Sequence, residues 1–392
     1  MAAGKWASVG ILLVVECFAL SLWFVSAAIL PGMMAETEIT PFRQAALSSG
    51  VQLGFVAGAL VSAVLGLPDR FDPRRVMGIA AVSAGVINLT LLVSVPGSTA
   101  AIAARFMTGA MLAGVYPVGM KIAVGWGEKD RGFLVGTLLG ALILGSALPH
   151  LFALTGSGDW RLTVLIASIA AIFAGLVGQL ASLGPHHARA ARFDPSVVVT
   201  AWTNRKIRLA YAGYFGHMWE LYSMWAWIAV IAALSYARHM PEERAATLAS
   251  VTAFVSIASG TVTSVIGGRI ADRVGKADVA LYAMVVSGAC AVFTAIAFGG
   301  PVWLFFLIVV LWGASISPDS PQFSALVADN APSHQAGSLM TLQTALGFAL
   351  TFFTVQATPV LAEWWGWPPV IAIMALGPAF GIYAMARLTA TP

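Results

Sequence analysis

Apolar stretches of roughly 18 residues or more, broken by short polar loops, recur along the whole of this 392-residue chain. Such stretches have one stable home, the hydrocarbon of a bilayer, and one backbone solution there, the helix. The pattern predicts spans near 7–30, 44–66, 76–95, 99–123, 132–155 and 161–183. A polar stretch follows from Gly184 to about Arg208, and a second set lies near 207–235, 246–268, 278–299, 302–326, 336–361 and 366–387. The expected fold class is therefore an all-α membrane protein of 12 transmembrane helices. Its expected domains are a six-helix bundle over 1–183, a linker over 184–206 and a second six-helix bundle over 207–392. The weakest separation falls at Gly299-Gly300-Pro301. The first span follows Lys5 closely, as a signal peptide would, but it is long for an h-region and eleven more spans follow.

Composition closes off the alternatives. Only 10% of the residues are charged, against about 25% in ordinary soluble domains, and 59% are hydrophobic. A water-soluble enzyme needs far more polar surface. The net charge of +4 comes without a dense basic stripe, so nucleic acid is not an expected partner. Cys17 and Cys290 sit inside apolar runs and read as small buried side chains.

Lysine and arginine divide unevenly between alternate loops. One side holds Lys5, Arg70, Arg74, Arg75, Lys129, Arg131, Arg189, Arg192, Arg205, Lys206, Arg208, Arg269, Arg273, Lys276 and Arg387. The other holds Arg43, Arg161, Arg238 and Arg244. Fifteen against four places both termini and the linker in the cytoplasm, in a cell inner (plasma) membrane.

The two halves resemble each other at an offset of slightly more than 200 residues. The loop LGLPDRFDPRR (65–75) matches GGRIADRVGK (267–276), making Asp69-Arg70 equivalent to Asp272-Arg273. Tyr116-Pro117-Val118-Gly119-Met120-Lys121 in the fourth span matches Ser317-Pro318-Asp319-Ser320-Pro321-Gln322 in the tenth. Six spans repeated in one orientation are the parallel-repeat plan of secondary transporters, whose solute binds at midplane between the halves.

These loops resemble the hallmark G-x3-D-[RK]-x-G-x-[RK]-[RK] of the major facilitator superfamily. The second copy fits through Gly268, Asp272, Arg273 and Gly275, then departs at Asp278. The first keeps Asp69, Arg70, Arg74 and Arg75 but has Leu65 and Asp72 at the glycine positions. Arg105, in RFMTG, is similar to the family's fourth-helix arginine, and YPVGMK resembles the bacterial cyanate and nitrate porters more weakly. The resemblance implies transport by alternating access, action as a monomer, and a cytoplasmic gate at Asp69, Arg70, Arg74, Asp272, Arg273 and Gly275. Physically, Asp69 or Asp272 can pair with neighbouring arginines and with a helix N-terminus.

A charge in the hydrocarbon costs at least ~2.5–3.5 kcal/mol, so every intramembrane ionisable group asks for a reason. Glu16 lies near mid-depth of the first span, where desolvation gives a carboxyl the property a proton-coupling group needs. His217 and Glu220, at i, i+3 in the seventh span, share a helix face near Tyr211, Tyr214 and Trp225. Arg105 and Lys121 lie about 24 Å apart along a helix and cannot clasp one small anion together. Arg105 is expected to face the cavity, to bind an anion or to stabilise Glu16. Lys121 either snorkels or reaches the cavity from its place after Pro117 and Gly119, in a locally weakened helix. Asp319, between Pro318 and Pro321, either lines a broken-helix site or caps the helix that begins at Ser320. His150 lies late in the fifth span, and Gln52, Gln322 and Gln343 are neutral hydrogen-bonding groups.

The expected function is secondary transport of a small anionic solute coupled to protons. No G-x4-G-K-[ST] run is present to drive it with ATP. The solute ligands are expected among Arg105, Lys121, Tyr116, Tyr214, Asp319 and Gln343, and the proton carriers among Glu16, His217 and Glu220. Expected partners are the solute, protons and lipid, with no cofactor and no metal. The rival is a drug–proton antiporter, but the fifth span, GTLLGALILGSALPH, sets Pro149 apart from Gly136, Gly140 and Gly145 instead of forming a glycine–proline signature. An intramembrane enzyme would need a convergent catalytic set, and none is legible.

Overall fold

An apolar chain in hydrocarbon must satisfy its backbone internally, and this one does so with helices. The computed structural model describes residues 4–128, 130–156, 159–187, 196–332 and 335–390, with the side chains of Asp69 and Arg131 outside that description. Every strand-free stretch long enough to cross a bilayer is helical, and among the described residues twelve qualify. They are Lys5–Glu36, Pro41–Leu65, Pro73–Val93, Thr99–Val124, Gly132–Ala153 and Trp160–Leu180, then Arg205–Tyr236, Glu242–Val274, Lys276–Ala297, Val302–Asn330, Ala336–Trp365 and Trp367–Thr389. We number them spans 1 to 12. The chain divides into two compact units, Met1–Ala190 and Ala191–Pro392.

Local chemistry sets the ends. Gly299 at φ +75° stops span 9, and Pro301 caps span 10, so the thin separation there is real. The side-chain oxygen of Asn204 accepts the N–H groups of Lys206 and Ile207 and starts span 7. The two repeated loops turn differently. Span 8 ends at Gly275 with φ +109°, a conformation that favours glycine. At the matching place in unit 1, Asp72 has φ −59° and caps span 3 by accepting the Arg74 N–H. The left-handed residue has moved upstream to Gly66, at φ +60°.

Four spans are interrupted: span 1 at Ser21–Phe24, span 4 at Ala113–Val115, span 10 at Ser317–Asp319 and span 12 at Ala375. Proline explains the last three, because Pro117, Pro318, Pro321 and Pro378 lack the N–H that would close an i→i−4 bond. Span 7 is continuous for 32 residues and is the most deeply buried of the second unit.

Within hydrocarbon, helices associate by close packing. In unit 1 the sequence Gly50-x3-Gly54-x3-Gly58 lets span 2 lie directly against span 4. A Cβ on Gly54 would sit 2.8 Å from the Phe106 carbonyl carbon, and one on Gly58 would sit 2.8 Å from Cα of Ala110. Both obstacles are backbone and cannot swing aside. We expect Gly54→Val to lower stability by about 2 kcal/mol or more, as overpacking does. Gly136→Ala, with nothing within 4 Å, should leave the melting temperature of the detergent-solubilised protein unchanged. Equal melting of the two variants would refute this packing.

Candidate functional site

In unit 1 the break in span 1 leaves carbonyls without helical partners just beyond the C-terminal end of the helix Lys5–Leu20. Arg105 takes them. Its Nη2 donates to Leu22 O at 2.7 Å and Trp23 O at 2.9 Å, its Nη1 to Asn88 Oδ1 at 2.7 Å, and its Nε to Leu47 O at 3.4 Å. Asn88 passes the network on, donating to Ser168 Oγ at 2.9 Å. One wholly buried guanidinium thus ties spans 1, 2, 3, 4 and 6, and a cation at a helix C-terminus is electrostatically well placed. This corrects the expectation that Arg105 reaches an anionic solute or Glu16: four of its N–H donors are already taken, two by the break of span 1, one by Asn88 and one by Leu47 O.

Glu16 lies four residues before the end of that helix, and neither carboxylate oxygen has a hydrogen-bond partner. It is wholly buried. Oε1 lies against Gly119, where a Cβ would collide with it, and Tyr116 opens the same helix piece one turn earlier. The helix piece that begins at Tyr116 therefore meets Glu16 at Gly119. Among the described residues no hydrogen-bond donor meets this carboxyl, so a charge there would be poorly compensated. Lys121 is elsewhere, half-buried with Nζ 3.4 Å from Pro68 O. His150 is buried with both ring nitrogens unpartnered.

In unit 2 the break in span 10 builds a second cluster. Pro321 frees the Ser317 carbonyl, which accepts from Ser264 Oγ at 3.2 Å and from the Ser320 N–H at 3.3 Å. Asp319 occupies the N-cap position of the helix Ser320–Asn330, but its side chain makes no capping bond. Instead Oδ1 lies 3.0 Å from Nδ1 of His217, both groups being essentially unexposed. Of the two roles the sequence left open for Asp319, the structure shows the side chain facing span 7.

His217 and Glu220 each have their own partners. Glu220 accepts from Trp312 Nε1 at 2.7 Å and from Ser287 Oγ at 2.9 Å, while His217 goes to Asp319. Helical spacing puts both on one face, but each meets a different neighbour, Glu220 spans 9 and 10, and His217 the break. The His217 ring stacks on Tyr214 at 6.3 Å and meets Phe323 at 5.8 Å. Trp312, Ser287 and Asn88 were missed by sequence reasoning. A serine in an apolar run or a tryptophan mid-span carries no periodic signal, whereas the asparagine within span 3 was a visible one. Gln343, on span 11, is wholly buried with both amide atoms unpartnered.

The loop residues fall into place differently from the hallmark pattern. Arg74 grips Asp72 with Nε 3.0 Å from Oδ1 and Nη2 2.6 Å from Oδ2, and donates to Ala181 O at 3.3 Å. Its hydrogen bonds hold the Asp72 carboxyl below the usual carboxylate range. The acid that pairs with Arg74 is the one standing where the motif has glycine, and the side chain of the expected Asp69 lies outside the described residues. Arg70, Asp272 and Arg273 are exposed, and the ion pair at that end of unit 2 joins Lys276 to Asp329 at 2.5 Å. No three His, Cys, Asp or Glu side chains converge as a metal site among the described residues.

The profile of the Major Facilitator Superfamily matches residues 11–353. No curated protein matches the chain in sequence. Among solved structures, a mutant of the nucleoside transporter NupG superposes with a TM-score of 0.73 at 14% identity, covering 98% of this chain and 100% of that one. That likeness is one of fold. With twelve spans, a broken tenth helix and a matching profile over most of its length, the chain belongs to the Major Facilitator Superfamily and is a multi-pass secondary transporter.

Proposed function

We propose that this transporter couples solute movement to protons, acting as a monomer in the inner membrane with both termini cytoplasmic. One observation carries the coupling: a buried imidazole and a buried carboxylate meet 3.0 Å apart at the break of span 10, one helical turn from a second buried carboxyl, Glu220. A pair at a helix break links protonation to shape. A proton taken up by Asp319 removes the charge that faces His217 and so changes the hold of span 7 on the break at Ser317–Asp319. In unit 1, Glu16 beside the break of span 4 serves the same end.

The solute expected from the sequence is an anion. Arg105 and Lys121 both donate to acceptors within the protein, and the buried acids Glu16, Glu220 and Asp319 oppose an anion. A small polar solute without net charge fits these groups better. The similar fold of a nucleoside transporter agrees with that choice.

Reconstituted into liposomes, the protein should accumulate its solute only while the outside is the more acidic, and a protonophore should collapse the accumulation. Uptake driven by a sodium gradient, or insensitive to the protonophore, would refute proton coupling.

A further inference from the structure

Gln343 is a buried polar group of unit 2 that proton coupling leaves unexplained. Its carboxamide is wholly buried, and neither the nitrogen nor the oxygen has a partner. Glutamines in membrane helices commonly act as glue, but glue needs a partner on the neighbouring helix. An unpaired buried amide is costly and rarely retained without a use.

Its surroundings show which use. One turn before it, the Leu339 carbonyl accepts from the Tyr211 hydroxyl. One turn after it, Gly347 has no side chain, and the Tyr214 ring packs where a Cβ would be. Positions 339, 343 and 347 share one face of span 11, so the amide faces span 7 between two tyrosines. Tyr214 then stacks on His217 at 6.3 Å with an interplanar angle of 29°, and meets Phe323 edge-on at 6.1 Å. A flat aromatic surface thus adjoins an amide that offers one donor and one acceptor in a single plane.

We propose that Gln343, with Tyr214, His217 and Phe323, recognises a planar solute of no net charge whose edge carries an adjacent donor and acceptor, as a lactam, an imide or a nucleobase does. A carboxamide pairs with such an edge through two hydrogen bonds, and aromatic rings hold the flat face of the same molecule. An inorganic anion would use only the donor. The inference rests on the transport function proposed above and names the class of solute for it.

Thermal stabilisation of the purified full-length protein tests this, because a ligand of the folded state raises its apparent stability. The probes are uracil, adenine and nicotinamide, set beside nitrate, cyanate and lactate and beside tetraphenylphosphonium. At least one planar neutral probe should stabilise the wild type. Gln343→Met should raise its half-maximal concentration about tenfold or more, since a site built to hydrogen-bond an edge discriminates strongly when the partner is lost. The ligand-free variant should melt no lower than wild type, because the amide has no partner in the protein to lose. A lower melting temperature with unchanged probe binding would make Gln343 structural and overturn the proposal. So would stabilisation by anions or the lipophilic cation alone, or by no planar probe. Coupling is read separately: protonophore-sensitive accumulation of an anion would sustain proton-linked transport and reject this solute class, and planar-probe binding with protonophore-insensitive uptake would do the reverse.

Discussion

Asp319→Asn should abolish uphill accumulation while exchange between equal internal and external solute pools continues. The substitution preserves shape, and it spares the backbone at the break, since the Asp319 side chain makes no capping bond there. What it removes is the charge facing His217 Nδ1 at 3.0 Å and the capacity to take up a proton. Glu16→Gln should behave likewise at little cost in stability, because both oxygens of Glu16 lack partners in the fold. Glu220→Gln is the contrasting case. Both of its carboxylate oxygens accept, one from Trp312 and one from Ser287, and an amide can accept at only one end. That variant should lose roughly 1–3 kcal/mol of stability, the usual consequence of leaving a buried donor unsatisfied. Counterflow and gradient-driven uptake in liposomes, measured beside melting temperature, separate the three. Loss of exchange in Asp319→Asn would make this carboxylate a solute ligand, and unchanged accumulation would remove it from the coupling path.

The twelve spans were legible because hydrocarbon thickness writes itself into the sequence as length. The pattern put span 2 at 44–66 and the structure has Pro41–Leu65; for span 12 they are 366–387 and Trp367–Thr389. The breaks of spans 4 and 10 were legible through their prolines, but that of span 1 was not, because Ser21-Leu22-Trp23-Phe24 carries no breaker residue. Arg105 was misjudged for the same reason: without the break there are no free carbonyls to claim it. Intramembrane polar residues announce themselves one at a time, and their partners do not. His217 and Glu220 stood out as a pair by spacing, yet the groups that bind each of them come from spans 9 and 10, roughly 65 to 100 residues away. Asp72 shows the limit of a motif. It stands where the motif has glycine, and it is the residue that pairs with Arg74.

Arg105→Leu should destabilise unit 1 by about 4 kcal/mol or more, because Leu22 O, Trp23 O and Asn88 Oδ1 each lose a donor in a place water does not reach. Leu47 O is partly spared, since Ser26 Oγ also donates to it at 2.8 Å. Neutral interhelical hydrogen bonds in membranes average only about 0.6 kcal/mol, and three of them would not reach this loss. The guanidinium differs in being charged and in holding carbonyls beyond a helix C-terminus, where each bond is strengthened. Arg105→Lys should recover part of the loss, because an ammonium carries the charge but lacks the planar fork that reaches acceptors on spans 1, 2 and 3 together. The order wild type, Arg105→Lys, Arg105→Leu in melting temperature is therefore the signature of a tie between helices. An anion-binding arginine predicts another outcome: near-normal melting in both variants, with stabilisation by anions lost. Because the two roles move different observables, one melting series with and without nitrate or lactate decides between them.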